Sequence, residues 1–113
     1  MNVLVKILLS SIAVIVASYL LPGVVVDSFL TAIIIAIILS LLNVTVKPIL
    51  VILTIPLTVF TLGLFLVVIN ALIVLIADSL ISGFEVYNFW WALLFSILLS
   101  IINAFLADLS KEG

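Results

Sequence analysis

Residues 23–43 read GVVVDSFLTAIIIAIILSLLN, and residues 83–103 read GFEVYNFWWALLFSILLSIIN. Sixty positions apart, the two stretches share Gly23/Gly83, Val26/Val86, Phe29/Phe89, Ala32/Ala92, Ile37/Ile97, Leu39/Leu99, Ser40/Ser100 and Asn43/Asn103. Upstream, Val14, Ala17 and Leu20 meet Val74, Ala77 and Leu80. Leu, Ile and Val align by chance in any apolar helix, but the aligned Gly, Phe, Ser and Asn are harder to produce that way. The pattern reads as an internal repeat of about 14–43 and 74–103, and such repeats are common in membrane folds. Each copy is an apolar run, a turn at Gly23 or Gly83, and a second apolar run. Glycine there supplies the positive φ that commonly ends a helix, and Pro22 reinforces the first stop.

Outward from the repeat, charge sets the scale. The 113 residues carry three lysines and five carboxylates and are 69% hydrophobic. Lys6, Asp27, Lys47, Asp78 and Glu85, with Asp108, Lys111 and Glu112 near the end, leave uncharged runs at 7–26, 28–46, 48–77 and 86–107. A membrane-crossing helix needs about 20 predominantly apolar residues. The runs are continuous rather than alternating, which selects helices over barrel strands because backbone amides must be paired inside hydrocarbon. The expected fold is an all-α integral membrane protein in one transmembrane domain, 1–113. It has four spans, near 4–21, 28–46, 62–80 and 88–108, as two tandem helical hairpins joined by a Pro-kinked connection. A Lys6-led apolar run ending near Ala17 and Ser18 also suits a cleaved signal peptide. Its match to an internal span argues that it is retained.

The lysines orient the chain. Lys6 precedes the first run, Lys47 follows the second and Lys111 follows the last, while Asp27, Asp78 and Glu85 lie at the opposite turns. Cytoplasmic loops collect Lys, so both termini and the central connection are expected inside a bacterial cytoplasmic (inner) membrane. Tyr19, Tyr87, Trp90 and Trp91 then fall at the outer boundary, where an aromatic belt anchors helices.

Composition also excludes chemistry. Without Cys or His the usual thiolate nucleophile, metal ligands and neutral-pH general base are missing. Without Arg, and with a net charge of -2, there is no basic patch for nucleic acid or polybasic segment for anionic lipid. Asp27, Asp78 and Glu85 could meet as an acidic cluster, but solvated turn charges explain them with fewer assumptions. The expectation is no enzyme, no catalytic residue, no metal, no cofactor and no identifiable soluble substrate. The partners are the lipid bilayer and further copies of the chain.

Polar residues within the runs are the remaining candidates. Ala32, Ala36, Ser40 and Asn43 fall at i, i+4, i+8 and i+11, as do Ala92, Ser96, Ser100 and Asn103. Such small-residue stripes let helices approach closely, so spans two and four are expected to pack together or against another subunit. Asn70 is the deepest amide and should face protein, with a partner near Ser10 or Ser11 on the first span, or else a pore lumen. Asn43, Asn70, Asn103, Ser40, Ser96 and Ser100 are therefore packing or pore-lining candidates.

The connection 47–61 holds Lys47, Pro48, Thr54, Pro56, Thr58 and Thr61, with Gly63 just beyond. As a helix it measures roughly 22 Å, short of a hydrocarbon core of about 30 Å. Either the second helix continues past Pro48 with a kink, or the segment lies in the interface or re-enters. Threonines there can bond carbonyls that proline releases.

Read in order, the markers are Asn43-x3-Lys47-Pro48-Ile49-Leu50, then Leu53-Thr54-x-Pro56-Leu57-Thr58-x2-Thr61-Leu62-Gly63-Leu64-Phe65. Asn70-Ala71-Leu72, Gly83-Phe84-x-Val86 and Phe89-Trp90 follow. This series resembles the bacterial four-span family known as mycobacterial-type phage holin superfamily IV. The resemblance implies a holin-like role in which subunits associate through their helices in the membrane and open lesions. A structural or envelope-stress membrane protein that binds lipid or a partner is the alternative. A small transporter is a further one, although no carboxylate within a span offers itself as proton carrier.

Overall fold

A computed structural model describes residues 2–110. In chain order it contains α1 (Val3–Leu20), β1 (Val24–Val26), α2 (Phe29–Leu53), α3 (Ile55–Phe60), α4 (Phe65–Leu80), β2 (Phe84–Val86) and α5 (Phe89–Ser110). Helices α1, α2 and α5 are each long and apolar enough to cross a membrane, and α4 is a shorter apolar helix of 16 residues.

Local chemistry sets the helix ends. Asn2 caps α1, its Oδ1 accepting from the Val5 amide at 2.8 Å. Ser28 caps α2 through a 3.2 Å bond from the Thr31 amide. Asn88, sixty positions on, accepts from the Trp91 amide at 3.1 Å and opens α5. Such side-chain caps satisfy amides that a first helical turn leaves free. α1 stops because Leu21 precedes Pro22, which disfavours helical backbone, and Leu21 is extended (φ -117, ψ 105). Ile81 adopts nearly the same geometry (φ -119, ψ 123) without a following proline. There Gly83 turns the chain with φ +89.

Gly23, by contrast, has no positive φ, contrary to the role expected for it. The space over it is what matters: a Cβ built on Gly23 would overlap Cγ, Cδ2 and Cε2 of Trp91. The turns themselves also differ from an all-helical expectation. β1 and β2 pair antiparallel, with Val24 opposite Val86, Val25 opposite Glu85 and Val26 opposite Phe84. The Asp27 amide donating to the Gly83 carbonyl and the Tyr87 amide donating to the Gly23 carbonyl, both at 2.9 Å, extend this ribbon. It spares turn amides that would otherwise be unpaired near the bilayer.

The four long helices close a ring. α1 packs on α2, α2 on α4, α4 on α5, and α5 back on α1. Helices α2 and α5 therefore stand at opposite corners, so the two small-residue stripes do not join these helices directly. Only the ribbon-side half of each stripe faces inward: Ala32, Ala36, Ala92 and Ser96 are buried within the subunit, while Ser40, Asn43 and Ser100 are exposed and Asn103 is half-buried. The core beneath the ribbon is built largely from residues that match at sixty positions, including Val14 and Val74, Ala17 and Ala77, and Ala32 and Ala92. Phe84 on β2 stacks on Phe95 of α5 with centroids 5.7 Å apart, which ties the ribbon to the bundle.

At the far end α2 continues through Pro48 to Leu53, and the short α3 leads back to α4. Leu62 (φ 58) and Gly63 (φ 90) make the reversal. Thr54 Oγ1 donates to the Leu50 carbonyl at 2.7 Å and Thr61 Oγ1 to the Leu57 carbonyl at 2.9 Å. Neither acceptor is the carbonyl four residues before Pro48 or Pro56 (Val44 and Ile52), so these hydroxyls do not compensate the prolines as expected. Thr58 Oγ1 is buried and has no hydrogen-bond partner.

Candidate functional site: a polar cavity between the helices

The candidates from four helices meet in the half of the bundle away from the ribbon. Asn43 of α2, Asn70 of α4 and Ser96, Ser100 and Asn103 of α5 line one cavity of about 90 Å³, with Leu39, Ile73, Val74 and Leu99. A second cavity, of about 80 Å³, shares Asn43 and Asn103 and adds Ser40 of α2 and Ser10 of α1. A wider recess of about 300 Å³ reaches Lys6 and Leu9 and shares Ser10, Ser40 and Asn103. The polar lining therefore runs from the first turn of α1 to the middle of the bundle.

The set follows the internal spacing. Ser40 and Asn43 correspond to Ser100 and Asn103, and Ser10 corresponds to Asn70. The hydroxyls are tied to their own helices: Ser40 donates to the Ala36 carbonyl, Ser96 to Leu93 and Ser100 to Ser96, each at 2.9 Å. The side-chain amides of Asn43, Asn70 and Asn103 bond to no other described residue. Asn70 thus lacks the partner expected on the first span, because α1 stands diagonally across the bundle from α4. One water needs about 10–15 Å³ and two to four polar partners, so each cavity has room and partners for several.

Towards the ribbon the lining changes. Val14, Ala17, Ile35, Phe95 and Phe84 are fully buried apolar side chains that seal the bundle below the β pair. A single subunit holds a polar recess on one side and a dry plug on the other.

The other candidates lie apart from this cavity. Pro48, Pro56 and Gly63 shape the α2–α3–α4 corner, with Lys47 half-buried nearly two turns before the end of α2 and Thr54 capping that end. Tyr19, Tyr87 and Trp90 are exposed at the ribbon end, and Trp91 is half-buried there. Asp27, Asp78 and Glu85 share that end as well. No group of three or more possible ligands that could hold a metal ion occurs among the described residues. Sequence spacing passed over a third feature, a recess of about 360 Å³ on the ribbon's outer face between Pro22, Gly23, Val25, Glu85, Tyr87 and Trp91. Only strand pairing brings those residues together.

Long apolar helices with extensive outward-facing Leu, Ile, Val and Phe, packed around an apolar core with a partly open polar recess, define a compact polytopic membrane protein. The chain belongs to the mycobacterial four-TMS phage holin family, superfamily IV, whose family model matches residues 1–105. It is 40% identical over 121 aligned positions to an uncharacterized protein of Streptomyces coelicolor, covering 95% of this chain and 97% of the relative. It is also 39% identical over 100 aligned positions to the uncharacterized membrane protein YvlD of Bacillus subtilis, covering 88% of this chain and 84% of that protein. No solved structure matches it.

Proposed function

We propose that this is a holin-like protein of the bacterial cytoplasmic membrane, with both termini cytoplasmic, that self-associates and permeabilises the bilayer. The observation carrying this reading is the polar cavity ending on an apolar plug. Asn43 is exposed and Asn70 and Asn103 are half-buried, and amides facing hydrocarbon cost free energy, so this recess favours water or the polar face of a second copy. The two helix–strand–helix units are hydrogen-bonded to each other at the ribbon and share the polar cavity towards the opposite end, where α3 links them. Parting of the units about the ribbon would carry Asn43, Asn70 and Asn103 to a surface shared with a second copy. The resulting lumen would be lined by amides and hydroxyls, with the apolar faces left to lipid.

Sealed liposomes carrying the purified protein, loaded with dyes of increasing size, test the reading. Size-graded leakage that rises steeply with protein density, and that falls when Asn70→Leu or Asn103→Leu is introduced, is the expected result. Vesicles that stay tight at high protein density would sink it. They would leave a structural membrane protein whose polar recess serves lipid or a partner.

A further inference from the structure

The ribbon's two faces are unlike. Val24, Val86 and Phe84 point into the core, while Val25, Glu85 and Tyr87 are exposed on the outer face. Successive strand residues alternate sides, so Glu85 and Tyr87 rise from the same face, with Val25 opposite Glu85 and Gly23 opposite Tyr87. Gly23 has no side chain, and the Trp91 indole fills the space where one would stand. The result is a recess of about 360 Å³ with an indole, a phenol and one carboxylate, bordered by Pro22 and Val25.

Here the internal correspondence fails. Sixty positions back, Tyr87, Trp91 and Glu85 correspond to Asp27, Thr31 and Val25. At the matching turn the space over Gly83 is taken by the Asp27 carboxylate rather than by a ring. One end of a nearly repeated ribbon thus carries an aromatic recess and the other does not. The surrounding charge has a single sign. Asp27, Asp78 and Glu85 lie at this end, Lys6 and Lys47 lie at the other, and Glu85 makes no ion pair with a described residue.

From this juxtaposition we infer that the Glu85–Tyr87–Trp91 recess is a binding site for an alkylammonium group. Aromatic faces attract such a cation through their ring quadrupoles, the carboxylate supplies the counter-charge, and Pro22 and Val25 accept its methyl or methylene groups. Anions are disfavoured by the same field. The group has two possible sources, the headgroup of an aminophospholipid at the bilayer boundary or a free organic cation. This site is independent of the permeabilising role proposed above.

The two tryptophans allow a direct readout, since Trp90→Phe leaves Trp91 as the sole indole. That protein is placed in nanodiscs of phosphatidylglycerol, which has no amine, and titrated with choline chloride against sodium chloride. A saturable change in Trp91 emission with choline alone, weakened roughly tenfold by Glu85→Gln and unaffected by Asp78→Asn, is expected for a site open to free cations. Nanodiscs in which phosphatidylethanolamine replaces half the lipid form the second arm. A Glu85-dependent emission shift there without added choline assigns the site to the lipid headgroup. Emission that follows sodium chloride in the first arm, and is unchanged by phosphatidylethanolamine in the second, overturns the inference.

Discussion

Asn43 on α2 and Asn103 on α5 line the same cavities although their helices occupy opposite corners of the bundle. Ala36 and Ser96, each about two turns nearer the ribbon, are the small buried residues on the same helix faces.

Replacing both amides tests how the cavity contributes. Asn43→Leu with Asn103→Leu puts apolar groups where two side-chain amides have no protein partner, and the adjoining space accepts the added volume. The doubly substituted protein is expected to be at least as stable as the parent, by up to about 1 kcal/mol, while dye leakage falls. Thermal unfolding in detergent, followed by circular dichroism, and leakage from the same preparation check both halves of this expectation.

The three turn glycines should differ in a diagnostic way. Gly23→Ala is expected to cost about 1–3 kcal/mol by overpacking against Trp91, and Trp91→Leu should recover much of that loss in the double variant. Gly83→Ala should lose about 1–3 kcal/mol through its positive φ and through the Asp27 carboxylate that fills the space over it, with no rescue from Trp91→Leu. Gly63→Ala meets open space, so it pays only for its φ of +90. A denaturant series on the four single variants and the two double variants separates collision from backbone strain.

Leu62 offers a stabilising change. It is 94% exposed and holds φ 58, a region that disfavours any residue with a Cβ. Leu62→Gly is expected to raise stability by about 1 kcal/mol. Ala32→Leu or Ala92→Leu, at positions with no exposure, should lower it by about 1–3 kcal/mol. Detergent unfolding midpoints should move in opposite directions for the two classes.

Orientation can be read with single cysteines, because the natural sequence has none. Val25→Cys, exposed on the ribbon, is expected to react with a membrane-impermeant maleimide in intact cells whose outer barrier is removed. Asn2→Cys should react only after the inner membrane is opened. The reverse pattern would invert the proposed topology and place the alkylammonium recess on the cytoplasmic side.

Much of the architecture was legible in the residues. Uncharged runs of about 20 residues can satisfy their backbones in lipid only as helices, and Lys6 and Lys47 fall at one end with Asp27, Asp78 and Glu85 at the other. Helical offsets alone put Ser40 with Asn43, and Ser100 with Asn103, on common faces. The turns were less legible. Three-residue segments such as Val24–Val26 carry no helix-scale periodicity, and their pairing partner lies sixty residues away.

Tertiary structure decided the rest. A stripe records which side of a helix is small or polar, yet it does not say which helix stands opposite: α2 was expected beside α5 or against another subunit, and within the subunit it packs on α1 and α4. Gly23 was read for backbone freedom, whereas its requirement comes from the Trp91 ring, a long-range contact that local dihedral preferences do not encode. The hydrophobic pattern along the chain determines what must be buried from water. The convergence of Asn43, Asn70 and Asn103, and the recess over Gly23, exist only once four helices close on one another, because both are made by side chains from elements that the chain visits far apart.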